Sequence, residues 1–238
     1  MTSSSIKNTD PRFIRSRGLL RDALLSLALD FRPEDIKIAD LTRAAGVSRG
    51  TFYAHASTPS ELLADFLIEE LSDNFSRIST LVHDETNQYL LRWRDIYIKL
   101  LHHVQSHAPI YRHIFLDKPE SLALGYLTAY FRKEITNYVR GFVRYNDEPL
   151  SELWITMATE QQVHNTIVII TSWLETNMES SPELAMNTFM SLVPPWQLAK
   201  LSSDGRISLR RTRALHAMLN TRAGQPIERG NDVWNQRH

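Results

Sequence analysis

The sequence predicts an all-α protein, with a three-helix helix-turn-helix domain followed by a longer helical domain. Three features point there. The 238 residues hold only 8 Gly and 10 Pro, and these fall mostly between apolar-periodic segments, a pattern of long helices rather than of a many-stranded sheet. Apolar side chains recur at helical spacing along those segments. Helix-start signals stand where the segments begin: Asp10-Pro11, Thr58-Pro59 and Ser181-Pro182.

Asp10 is placed to cap the first helix and Pro11 to take its first position. Leu20, Leu24, Leu27, Ala28 and Phe31 then share one face, and Arg32-Pro33-Glu34-Asp35 ends the helix. Two short helices are expected near 38–45 and 48–55. Thr58, Pro59 and Glu61 form a capping box that opens a long helix. Its stripe runs through Leu63, Phe66, Leu67, Leu71, Phe75 and Ile78. Further helices are expected near 88–106, 109–116, 121–145 and 150–176, and a last one from Ser181-Pro182 to Pro194-Pro195. The domains implied are 12–75, 76–195 and a basic, loosely ordered tail over 196–238, with one short helical stretch near 209–219.

The net charge is zero, but its distribution is uneven. Residues 1–60 carry nine Lys and Arg against six Asp and Glu, residues 61–195 ten against 18, and residues 196–238 eight against three. A basic head, an acidic body and a basic tail leave the head, and with it the tail, to face phosphate. There is no Cys, which excludes disulfides and thiolate metal sites and suits a reducing cytoplasm. Residues 1–10 are polar and unlike a signal peptide. Apolar runs fall far short of the roughly 20 residues a membrane span needs. A soluble, cytoplasmic protein with no membrane partner is expected.

The segment Ile38 to His55 meets the demands of a helix-turn-helix. Two helices must cross closely, and Ala44 and Ala45 supply small residues at the contact. Gly46 allows a left-handed turn. Leu41, Val47 and Phe52 are spaced to lock both helices over a shared core with the first helix. Ser48 can cap the second helix. That leaves Arg49, Gly50, Thr51, Tyr53 and His55 on or near an exposed face. Arg can read guanine O6 and N7 in the major groove, Gly allows close backbone approach, and Thr, Tyr and His can donate to phosphate oxygens. Double-stranded DNA is the partner this face suits.

The run Ala45 to His55, with Leu41 before it and Glu61-Leu62-Leu63 after it, resembles the DNA-binding domain of TetR-family regulators over about residues 12–75. That resemblance implies a homodimer, a helical ligand-binding and dimerisation domain, and a palindromic operator. It places Ser48, Arg49 and Gly50 at the start of the recognition helix, with Arg49 and Gly50 at base-contacting positions and Thr51, Tyr53 and His55 at phosphate-contacting ones. Three departures stand out. Ala56 replaces a large apolar residue, Pro59 replaces a phosphate-contacting Lys, and Lys37 stands where a capping hydroxyl is usual. Residues 97–193, and the stretch His164 to Glu179 with its Trp173, are also similar to one subgroup of TetR C-terminal domains.

In the body, Trp93, Tyr97, Tyr111, Phe115, Tyr126, Tyr130, Phe131 and Trp154 either line a pocket for a small apolar or aromatic ligand or form core. The last two helices of the body, through Leu153, Trp154, Met157, Val163, Ile167 and Ile170 and then Leu184, Met186, Phe189, Met190 and Val193, are expected to make a four-helix dimer interface. His102, His103, His107 and His113 form a local cluster in which His103 and His107 share a helix face. No His-Glu-x-x-His spacing, phosphate loop or nucleophile elbow is present. No enzyme, cofactor or metal ion is implied, and the cluster reads as a partly exposed, His-rich helix. A small-molecule-released repressor is the expected function. The alternatives are a co-regulator of the same fold acting through protein contacts, and a helical enzyme built on the His cluster.

Overall fold

The computed structural model describes residues 10–83, 89–117, 121–144 and 151–192. Among them nine α-helices run in the order α1 (Pro11–Leu27), α2 (Ile38–Ala45), α3 (Arg49–Tyr53), α4 (Pro59–Phe75), α5 (Tyr89–Ser106), α6 (Ala108–Phe115), α7 (Leu122–Arg144), α8 (Glu152–Glu175) and α9 (Pro182–Met190), with no strand. None of these helices is long and apolar enough to cross a membrane. The tail, the helical stretch near 209–219 and Val193 lie outside the described residues.

The signals at helix starts act as their chemistry requires. Asp10 Oδ1 accepts from the Arg12 N–H at 2.8 Å. Ser48 Oγ accepts from Thr51 N–H at 3.0 Å, and Thr58 Oγ1 from Glu61 N–H at 3.1 Å. The Glu61 carboxylate reaches back to Ser57 N–H at 2.7 Å, one residue before the cap itself. Lys37 precedes α2 without a side-chain cap. Gly46 closes α2 at φ 65°, and its N–H and that of Val47 bond to the carbonyls of Arg43 and Thr42, the paired bonds of a Schellman ending.

Some expected core positions are not core. Helix α1 stops at Leu27, so Phe31 falls beyond the stripe and is 53% exposed, while Leu20, Leu24 and Ala28 are fully buried. Ala45 is buried at the α2–α3 turn, but Ala44 faces solvent. The stripe of α4 ends at Phe75, and Ile78 is buried from a 3-10 segment, Ser76–His83, that the continuous pattern concealed.

Helix α4 is buried on most of its faces: Leu62, Leu63, Ala64, Phe66, Leu67, Leu71 and Phe75 are all inaccessible or nearly so. It packs on α1 on one side and on α5 and α7 on the other. Its C-terminal Phe75 enters an aromatic cluster with Tyr97, Tyr130 and Phe131, at centroid separations of 5.8, 6.1 and 5.0 Å. A second tie joins the 3-10 turn Pro33–Asp35 to α7. Glu34 Oε1 accepts from Ser121 Oγ at 2.8 Å and from Leu122 N–H at 3.0 Å, supplying an anion at the start of that helix.

Gly46 gives a clean test of the turn. No atom lies within 4 Å of where its Cβ would stand, so substitution there meets no steric obstacle and only the left-handed backbone is penalised. Gly46→Ala should lower stability by about 1–2 kcal/mol, read as a shift of the urea midpoint at unchanged slope. A change within error would mean that the turn relaxes.

Candidate nucleic-acid interface

Helix α3 is only five residues long, and Phe52 fixes it by burying its ring completely. The rest of the helix faces outward. Arg49 and Gly50 are exposed, and Tyr53 is 60% exposed, its ring edge-on to Phe52 at 5.4 Å. Tyr53 is therefore not core. Thr51 is half-buried, its Oγ1 2.8 Å from Ser48 Oγ, so both hydroxyls serve the cap as well as facing solvent.

The basic residues of the head divide sharply. Arg17 pairs with Glu69, Arg21 with Glu70, Arg32 with Asp35 and Arg43 with Asp40. Arg17 also lies over the Phe66 ring, 4.9 Å from its centroid. Arg49 forms no ion pair among the described residues. Arg17 and Arg21 are thus engaged by α4, and Arg49 is the cation at the first position of α3.

His55 is held differently from an exposed phosphate donor. Its Nε2 lies 2.8 Å from Ser16 Oγ, and its ring stacks on Phe13 at 4.0 Å. Ser16 Oγ donates to the Phe13 carbonyl at 3.0 Å, so it accepts from His55 Nε2–H, which leaves Nδ1 buried without a partner. Burial, then Arg17, hold His55 below the ordinary histidine pKa. The imidazole therefore fastens α1 to the end of α3. Ser16 and Phe13 lie 39 and 42 positions away, and no local pattern marks them as partners. An open cleft of about 610 Å³ runs beside this contact, lined by Ile14, Arg17, Arg21, Asp65 and Phe66 among others, and by none of the aromatic residues expected to form a pocket.

Those aromatic residues separate into groups. Trp93, Tyr97 and Tyr111 are fully buried, and Phe115 and Phe131 are buried with them. Tyr130 and Trp154 are half-buried, and Tyr126 is exposed, on the outer side of α7. Tyr97 sits in a polar knot inside this core: its hydroxyl lies 2.8 Å from Thr166 Oγ1 and accepts from Gln162 Nε2 at 2.7 Å. Burial pushes Tyr97 up to about 12. Several other groups of the body are buried with no partner: Trp93 Nε1, Tyr111 Oη, Tyr130 Oη, Thr159 Oγ1 and Gln162 Oε1.

Residues 92–194 match the TetR_C_8 family model, described as the transcriptional regulator C-terminal region. Over those residues the chain is of the TetR regulator type. The region that this model describes is one of regulators rather than of enzymes. No curated protein matches the sequence. Among solved structures, the regulator is similar to the fatty acid degradation regulator FadR from Bacillus halodurans, at TM-score 0.54 and 12% identity over 74% of this chain and 93% of that one. FadR from Bacillus subtilis, solved in complex with stearoyl-CoA, gives TM-score 0.53 and 13% identity over 74% and 96% of the two chains. NalD, the secondary repressor of the MexAB-OprM multidrug efflux pump in Pseudomonas aeruginosa, gives 0.52 and 15% over 75% and 93%. These similarities show the all-helical fold.

The lowered pKa of His55 makes a stability test. An unfolded His55 protonates as pH falls through about 6.5, whereas the folded residue takes up its proton only at lower pH. Its contribution is therefore complete above about 6.5 and is lost as pH falls from there toward the folded pKa. The melting temperature of the regulator should drop across that interval. His55→Phe keeps the stacked ring and should remove part of the slope, and an unchanged slope would show that the imidazole does not titrate against folding.

Proposed function

We propose that the regulator is a cytoplasmic homodimer that reads a palindromic DNA operator with α3, and that it acts as a repressor released by a small molecule. The observation that carries this reading is the recognition helix itself. Five residues cannot exist for packing alone, yet this helix is capped at Ser48, pinned by Phe52 and left with Arg49, Gly50 and Tyr53 turned outward. Arg49 reads a base edge, Gly50 lets the backbone approach, and Ser48, Thr51 and Tyr53 donate to phosphate. His55 serves the same surface mainly by holding α1 against it.

The apolar faces of α8 and α9 support the dimer. Leu153, Met157 and Val168 on α8 and Leu184 on α9 are 54–70% exposed, and the three on α8 fall on one helical face. The expected stripe mixed two faces, because Val163, Ile170, Met186 and Phe189 are buried within the protomer. Pairing the outer face with its copy around a two-fold axis would cover it. Leu153→Glu with Met157→Glu should give a monomer in sedimentation velocity with unchanged helical content. A dimer of wild-type stability would move the interface elsewhere.

The unpartnered polar groups among the body aromatics support the ligand. A buried donor or acceptor left unmade costs about 1–3 kcal/mol, and five such groups lie on α5 to α8. An apolar or aromatic molecule with a few hydrogen-bonding groups would satisfy them. Its preference for one conformation over another sets how far DNA affinity falls.

DNA reading is tested by selecting a binding site from random duplexes and measuring isotherms on it and on its single-base variants at two salt concentrations. Arg49→Ala should weaken binding by roughly 1–3 kcal/mol and relax discrimination at one symmetric base pair. Tyr53→Phe should weaken all sequences by a similar factor and leave the salt slope unmoved, since it removes no charge. An unchanged specificity profile in Arg49→Ala would take base reading away from that position.

A further inference from the structure

One side-chain cluster lies outside both the recognition surface and the aromatic core. His103 near the end of α5 and His107 just before α6 are four residues apart, and the fold brings Glu70 of α4 against both. Glu70 Oε2 lies 3.5 Å from His103 Nδ1 and 3.4 Å from His107 Nε2, and one ligand atom from each of the three residues lies within 4.8 Å of the others. We propose that Glu70, His103 and His107 bind a divalent transition-metal ion of the zinc class.

The geometry supports coordination over simple hydrogen bonding. Two ligand atoms each about 2.1 Å from a tetrahedral ion stand about 3.4 Å apart, which is the separation of the carboxylate oxygen from each imidazole nitrogen. The same distances exceed those of a good N–H···O bond. Two imidazoles and a carboxylate form a donor set that zinc, cobalt and nickel accept, with the fourth position left to solvent. The outer contacts fit at His107, while His103 Nε2 is buried without a partner. His107 Nδ1 lies 3.0 Å from Ser106 Oγ and 3.2 Å from the His103 carbonyl, which places its proton there and turns the Nε2 lone pair toward the cluster. The other carboxylate oxygen, Oε1, takes the Arg21 guanidinium, and Oε2 remains for the ion.

The site joins three elements. The ion would tie α4 to α5 and to the start of α6, and through Glu70 and Arg21 it would touch α1. A His pair alone gives no such link, which is why the sequence reads as an exposed His-rich helix until Glu70 arrives from 33 positions upstream.

The test uses the full chain, free of affinity tag and treated with chelator, titrated with Co2+. Wild type should bind one ion per chain with the visible ligand-field bands of four-coordinate cobalt, and Zn2+ should abolish the bands by displacement. His107→Gln and Glu70→Gln should weaken cobalt binding by on the order of 100-fold while retaining helical circular dichroism. His102→Gln should bind like wild type, because His102 faces Glu183 outside the cluster. Zn2+ should raise the melting temperature of wild type but not of His107→Gln. The proposal is overturned if wild type shows no saturable cobalt spectrum, if folded His107→Gln or Glu70→Gln titrates as wild type does, or if His102→Gln loses the bands.

Discussion

The burial of α4 is the constraint on which the rest of the molecule depends. A helix that hides Leu62, Leu63, Phe66, Leu67, Leu71 and Phe75 cannot move relative to one neighbour without opening apolar surface toward another. Its N-terminal half belongs to the recognition unit, where Phe66 lies beneath Arg17 and Arg21. Its last residue belongs to the body, where Phe75 meets Tyr97, Tyr130 and Phe131. The two halves of the chain therefore share a structural member rather than a linker. Close packing transmits displacement, and a change of packing around Phe75 has a direct route to α1.

Charge is organised around the same helix. Glu69 and Glu70 at its acidic end hold Arg17 and Arg21 of α1. Exposed pairs of this kind contribute little to stability, about 0–1 kcal/mol each. Their stronger effect is positional: they keep two guanidinium groups off the recognition surface and fix the angle of α1. His55, hydrogen-bonded to Ser16 and stacked on Phe13, secures the opposite end of that contact. The proposed DNA binding does not conflict with a net-neutral chain, because phosphate would meet a local surface and not the summed charge.

The parts of the fold legible in the sequence are those set by local chemistry. Asp10, Ser48 and Thr58 cap their helices because the acceptor and the N–H it satisfies are two or three residues apart. Gly46 takes its left-handed turn for the same local reason. Helix ends drifted by three or four residues where the apolar pattern outran the helix, as at Phe31 and Ile78. The exposure of Arg49, Gly50 and Tyr53 was legible too, since it follows from helical phase relative to Phe52. What could not be read was every contact made across the fold. His55 looks like a donor for solvent until Ser16 and Phe13 claim it. Glu34 looks like part of a helix-ending turn until it caps α7. Tyr97 gives no sign in sequence that it will meet Thr166 and Gln162. Periodicity reports which face is apolar, but not which polar atom will be buried or opposite what.

The polar atoms of the body bear on regulation through α4 as well. Glu70 and Phe75 lie five residues apart on one helix, about 7.5 Å along its axis. The metal-ligand cluster gathers at the first and the aromatic cluster, with its unpartnered hydroxyl and indole groups, at the second. An occupant of either cluster would act on the same rigid segment. If each occupant prefers a different setting of α4, linkage requires each to alter the other's affinity by an equal factor. Neither needs to touch α3. The helix they share already carries Leu62 and Phe66 into the core beside α1, and under the proposed function its orientation would decide whether two copies of Arg49 meet successive major grooves.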